Sequence, residues 1–157
     1  MYELYSSDVW MSVTLNTSSL DTVIKDLKKF STFEVTVAGF NRIGQGPASR
    51  VHITTDEDVP SEHPPDITVT NTSSTSLNIS WQIIPAQYIH GILRGYGIYY
   101  RANHVHVWNK LTVLPDIYGL ELIGLKKYSK YYIQVAGLTV KGIGKPCKQI
   151  PVLTEED

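Results

Sequence analysis

The chain has 157 residues, which allows one domain or two small ones. Fourteen Lys and Arg against fifteen Asp and Glu leave a net charge of −1, with no block of like charge, so the sequence shows no basic patch for nucleic acid or an anionic membrane surface. A lone cysteine, Cys147, excludes an internal disulfide and a Cys-rich zinc site, and no apolar run reaches the ~18–20 residues of a membrane span. MYELYSSDVW lacks the basic-then-apolar layout of a secretory signal. Eight Pro, eleven Gly and abundant Val, Ile, Thr and Tyr point to an all-β protein.

Taken in chain order, the first apolar alternation is Tyr2 and Leu4, followed by Trp10 and a short strand expected around Ile24. Leu27-Lys28-Lys29-Phe30-Ser31 then leads into Phe33, Val35 and Val37 on one phase. A glycine turn, Gly44 to Pro47, precedes Val51 and Ile53. The next residues, 56 to 65, are acidic and carry three prolines, which predicts a short, stiff linker at 59–64. Beyond it, Leu77, Ile79 and Trp81 alternate with Asn78 and Ser80, and Tyr96, Ile98 and Tyr100 with Gly97, Tyr99 and Arg101. Tyr131, Ile133 and Val135 alternate with Tyr132, Gln134 and Ala136. Turn residues separate these runs at 71–74, at His90-Gly91 and at Gly142-Ile143-Gly144-Lys145-Pro146. No segment holds a capped 3.6-residue period.

Part of this order is a repeat. The stretch from Leu27 to Gly39 returns 98 positions later as Leu125 to Gly137, and Trp10 and Trp108 share the offset. The register holds to Gly46 and Gly144; one inserted residue, Lys145, then aligns Pro47 with Pro146 and Thr55 with Thr154. The second copy has about 30 residues, 65 to 95, before Tyr96, whereas its counterpart Tyr2 follows only Met1. The repeat therefore predicts a truncated copy at 1–58 and a complete one at 65–155, cut from a longer protein.

Several motifs, in order, resemble fibronectin type III modules. Pro64-Pro65 and then Thr75 to Trp81 are similar to that family's first two strands, with Trp81 as its core tryptophan. The stretch from His90 to Arg101 resembles the third strand and its preceding turn. Leu125 followed by Tyr131 resembles the family's tyrosine corner, in which a hydroxyl bonds back to the backbone. The resemblance implies a seven-stranded antiparallel β-sandwich of immunoglobulin-like type, with one complete copy and one N-terminally truncated copy in tandem. The structural core expected from it is Trp81, Tyr96, Leu125 and Tyr131. Phe33 replaces the corner tyrosine in the first copy, and that copy lacks the first two strands. Its sheet, with Phe33, Val35, Val37, Val51 and Ile53, would face only the strand around Ile24. Losing about four to six covering side chains at ~1.5–3 kcal/mol each removes on the order of 10 kcal/mol. That loss is comparable to the ~5–15 kcal/mol that stabilises a whole domain, so a marginal, apolar-faced first copy is expected.

No segment carries a nucleophile elbow, a phosphate loop, a dinucleotide fingerprint or a zinc-protease helix, and no enzyme activity or cofactor is expected. His104 and His106 share a strand phase and His90 sits in a turn, but zinc needs a third convergent ligand, so these read as solvent-facing loop residues. Cys147 reads as a packed or surface thiol without a His/Asn partner motif. Lys126, Lys127, Lys141, Lys145 and Lys148 come from different segments and read as solvating charges rather than a polysaccharide site. Tyr99, Arg101 and Tyr132 on outward phases compose an aromatic-plus-Arg patch of the kind favoured at protein interfaces.

Three Asn-x-Ser sequons, at Asn16, Asn71 and Asn78, are glycosylation candidates, two expected in loops and the third on an outward strand position. By resemblance to adhesion receptors and receptor tyrosine phosphatase ectodomains, the chain is expected to be a non-catalytic spacer and protein-contact segment. It would lie outside the cell, beside neighbouring modules of the same family, with no nucleic acid and no direct membrane contact. The alternatives are an intracellular muscle-type scaffold module, or an accessory ectodomain part of a receptor phosphatase or kinase.

Overall fold

The computed structural model describes residues 2–6 and 9–13 as backbone strands and residues 20–156 in full. The chain divides into two compact units, residues 1–56 and 57–157. Every described strand pairs antiparallel, and the described helical structure is a 3-10 turn, Ala86–Tyr88.

The first unit is a single four-stranded sheet. Its strands are β1 (Tyr2–Ser6), β2 (Val9–Val13), β3 (Thr32–Phe40) and β4 (Gln45–Thr54), in the order β2-β1-β3-β4. The register pairs Phe33 with Ile53 and Val35 with Val51, so the apolar phase of both strands shares one face. Phe33 and Val35 are buried beneath Ile24 and Leu27, while Val37, Val51 and Ile53 remain 54%, 53% and 38% exposed.

The strand expected around Ile24 does not form; residues 21–31 contain no strand. The second unit supplies the reason. There the equivalent strand, 98 residues on, has one partner in its sheet, and the first unit has no counterpart of that partner among the described residues. A short segment with no edge to pair with cannot satisfy a β ladder.

The second unit is a two-layer sandwich. One layer is β5 (Thr68–Ser73), β6 (Ser76–Ser80) and β9 (Gly119–Leu122), in the order β5-β6-β9. The other has β7 (Gly95–Ala102), β8 (Asn109–Val113) and β10 (Lys130–Thr139), with β11 (Gly142–Ile143) and β12 (Ile150–Leu153) both pairing β10. With β11 and β12 taken as two halves of one strand, this is a seven-stranded antiparallel sandwich.

Period-2 alternation explains the core. Leu77, Ile79 and Trp81 from one layer meet Tyr96, Ile98, Tyr131, Ile133 and Val135 from the other, and all are buried, with Leu122 and Leu125 closing one end. Trp81 and Tyr96 lie with ring centroids 5.5 Å apart, tilted by 60°. The Tyr131 hydroxyl accepts the Lys126 N–H at 2.9 Å, tying the β9–β10 corner to the core.

Residues 57–64 lie against the second unit. Asp58 N–H donates to the His90 carbonyl at 2.8 Å, and the Thr139 hydroxyl donates to the Asp58 carbonyl at 2.9 Å. Pro60 is fully buried, and its carbonyl accepts the Lys145 N–H at 3.1 Å. Lys145 Nζ reaches Glu62 Oε1 at 2.9 Å. Lys145, the extra residue of the sequence repeat, is thus among those that hold this lead-in segment.

Candidate functional site

The outer face of the β8-β7-β10 layer gathers the aromatic and cationic side chains. Alternation along β7 turns Tyr99 and Arg101 outward, and register sets Arg101 opposite Tyr132 and Tyr99 opposite Gln134 and Lys110. Trp108 stands just before β8, level with Arg101. The Arg101 guanidinium lies 5.0 Å from the Trp108 ring centroid and 4.7 Å from that of Tyr132. Lys130 Nζ sits 5.4 Å from the Tyr132 centroid, and Lys110 Nζ 5.8 Å from that of Tyr99. Each such contact contributes about 0.5–1 kcal/mol at an exposed site. Arg101 also donates through Nη1 to the Val105 carbonyl at 3.1 Å and through Nη2 to Gln149 Oε1 at 3.4 Å.

The three cations have no ion-pair partner among the described residues. The strands of this layer carry no Asp or Glu at all. The opposite layer presents a different surface. Its hydroxyls pair with one another, Thr68 with Ser80 at 2.7 Å and Thr72 with the buried Ser76 at 2.6 Å, and Thr72 donates to Glu121 at 3.0 Å. One sheet face is therefore cationic and aromatic, and the other is hydroxyl-lined with one carboxylate.

The sequons divide. Asn16 lies outside the described residues. Asn78 is exposed on β6, level with Thr70 and Glu121. Asn71 stands on β5 and not in a loop: hydrogen bonds of Ser73 and Thr72 to Ser76 close a tighter turn, Ser74-Thr75, and extend the strand. Its amide donates to the Leu153 carbonyl at 2.9 Å.

His104 and His106 are exposed beyond β7, while His90 Nε2 lies 2.9 Å from Ser61 Oγ in a left-handed turn with φ +57°. Among the described residues, no three His, Cys, Asp or Glu side chains are grouped to hold a metal ion. Cys147 is buried, its sulfur accepting the Val135 N–H at 3.2 Å, and burial pushes its thiol above the ordinary 9.0. Beside it is a shallow hollow of about 280 Å³ lined by His63, Pro64, Asp66, Ile67, Lys148 and Ile150, in which His63 Nδ1 lies 2.8 Å from the Pro64 carbonyl. Among the described residues no helix is long and apolar enough to cross a membrane.

Sequence reading named Tyr99, Arg101 and Tyr132 but missed Trp108, Lys110 and Lys130, which complete the face. Trp108 registered only as a repeat partner of Trp10; the signal that finds it is the cross-strand register of a hairpin whose loop length was unknown.

Comparison with known proteins gives these features a context. The chain is 39% identical over 140 residues to the cell adhesion molecule DSCAM of Gallus gallus, covering 85% of this chain and 7% of that protein. It is 34% identical over 160 residues to the phosphatidylinositol phosphatase PTPRQ of Rattus norvegicus, covering 99% of this chain and again 7% of the relative. The chain thus spans a small fraction of the curated relatives it matches. Among solved structures, the FN1–FN3 domains of chicken CNTN1 superpose with a TM-score of 0.62 at 27% identity, covering 99% of this chain and 55% of that one. The FN5 domain of Drosophila Lar superposes with a TM-score of 0.52 at 32% identity, covering 63% of this chain and all of that domain. Residues 62–152 match the fibronectin type III domain, and the chain belongs to that family.

Proposed function

We propose that this chain is a non-catalytic spacer and protein-contact segment in the extracellular part of a larger adhesion or signalling receptor. In this reading residues 1–58 are an N-terminally truncated fibronectin type III copy, residues 59–64 the junction, and residues 65–155 the complete copy. Proteins act through sites grafted on folds, so the contact function rests on a site. The carrying observation is the Arg101 guanidinium stacked between Trp108 and Tyr132 on an open sheet face. Aromatic residues and Arg are the side chains most enriched where proteins meet. The kinship with adhesion molecules supports the same reading.

Two experiments test it. Expressed through a secretory host, the chain should lose mass on enzymatic deglycosylation, with the glycan mapped to Asn78; a chain with every sequon unoccupied would oppose the extracellular reading. In the full-length receptor, Tyr99→Ser with Tyr132→Ser should reduce partner-dependent cell clustering at unchanged surface expression. Clustering at the parent level would remove this face from the contact.

A further inference from the structure

We propose that the β8-β7-β10 face binds an acidic protein surface, receiving its carboxylates on Arg101, Lys110 and Lys130; this names the partner chemistry of the contact face above and rests on that reading. The first argument is charge. The face presents three cations and no acid from its own strands, so its charge is unanswered among the described residues. Charge complementarity across an interface selects partners and speeds encounter.

Preorganisation is the second argument. An aromatic ring attracts a cation without supplying a counter-charge, so the rings orient Arg101, Lys110 and Lys130 and leave them open to an acidic partner. Side chains already ordered lose less entropy when a partner arrives. Arg101 engages two of its five N–H groups, at Val105 and Gln149, and its remaining planar donors match the two oxygens of a carboxylate.

Other occupants fit less well. A second copy of this chain could offer from the opposite layer's strands one carboxylate, Glu121, against three cations. A sulfated polysaccharide calls for contiguous basic charge, whereas these cations are spaced by rings, and Lys126, Lys127 and Lys148 lie outside the strands of this sheet.

The test uses the whole 157-residue chain, nitrogen-15 labelled and titrated with a 20-residue poly-L-glutamate at low and physiological salt. The Trp108 indole and the Tyr99 and Tyr132 amides should shift together. Lys110→Gln with Lys130→Gln, both exposed and harmless to the core, should weaken binding about tenfold, and adding Arg101→Gln should weaken it further. Lys126→Gln with Lys127→Gln and Lys148→Gln should change it by less than about threefold. Equal losses in the two sets would overturn the proposal, since any lysine would then serve. So would tighter binding of a heparin octasaccharide at the same residues, which would make the ligand a polysaccharide, or the same shifts on concentrating the chain alone, which would make it a second copy. Absence of poly-glutamate binding, with clustering still lost in the tyrosine variants, would overturn the carboxylate chemistry and leave the contact face standing.

Discussion

The Thr154 hydroxyl donates to the Lys126 carbonyl at 2.8 Å and accepts the Ser129 N–H at 2.9 Å. In the first unit Thr55 does the same with Lys28 at 2.7 Å and Ser31 at 3.0 Å. In both units one threonine fastens the end of the last strand to the corner before the strand beside it. Phe30 and Tyr128, in left-handed conformations with φ 45° and 44°, turn that corner in each.

Thr154→Val keeps the shape of the side chain and removes both bonds, leaving a part-buried N–H and carbonyl without this partner. It should destabilise the second unit by about 1–2 kcal/mol, while Thr154→Ser should cost under about 1 kcal/mol. Urea denaturation followed by circular dichroism reads the difference; coincident midpoints would mean that the clasp contributes nothing.

Gly144 and Gly46 hold equivalent places in the repeat but differ in surroundings. A methyl group on Gly144 would run into the carbonyl oxygen of Pro60, whereas the nearest atom to one on Gly46 is the Gly39 carbonyl oxygen at 3.6 Å. Gly144→Ala should therefore cost roughly 1–3 kcal/mol and expose residues 57–64 to protease. Limited proteolysis with mass mapping checks this, and Gly46→Ala should leave the cleavage pattern unchanged.

Burial lifts two neutral acids in the second unit: Cys147 above 9.0, and Tyr96 above 10.0. Among the described residues the Tyr96 hydroxyl and the Trp81 indole N–H are buried with no hydrogen-bond partner, and for Tyr96 burial outweighs the opposing influence of the Ile84 backbone. Below pH 9 folded and unfolded chains both carry the neutral thiol. Above it the unfolded chain loses the proton first, so stability should fall from about pH 9 upward, with the tyrosine adding its share from about pH 10. Denaturant midpoints measured across pH 8–11 should show Cys147→Ala delaying the onset; a variant that tracks the parent throughout would refute this.

On the first unit, Val37, Val51 and Ile53 leave an apolar strip open. A dye that fluoresces on apolar surfaces should bind the chain, and Val37→Thr with Val51→Thr should lower the signal by about half. Stability should change by less than about 1 kcal/mol, because neither side chain is buried. An unaltered dye signal would place the binding elsewhere.

The all-β class, the sandwich and the inward residues were legible because alternation and turn chemistry are local. Trp81, Ile98 and Ile133 declare their side of the sheet by position alone. The corner from Leu125 to Tyr131 was legible through the resemblance to fibronectin type III modules. The missing strand at Ile24 and the extended β5 at Asn71 were not legible. Pairing depends on whether an edge exists and on which hydroxyls close a turn, and neither is written in one segment.

By itself, then, the sequence determined the core of the second unit, because apolar period and glycine-proline punctuation act residue by residue, and its ordered motifs carried the resemblance to the family. Only the tertiary structure decided what faces outward together. It brought Trp108 and Tyr132 to opposite sides of Arg101 and Lys145 to Pro60, because strand register and burial join positions whose meeting no single segment specifies.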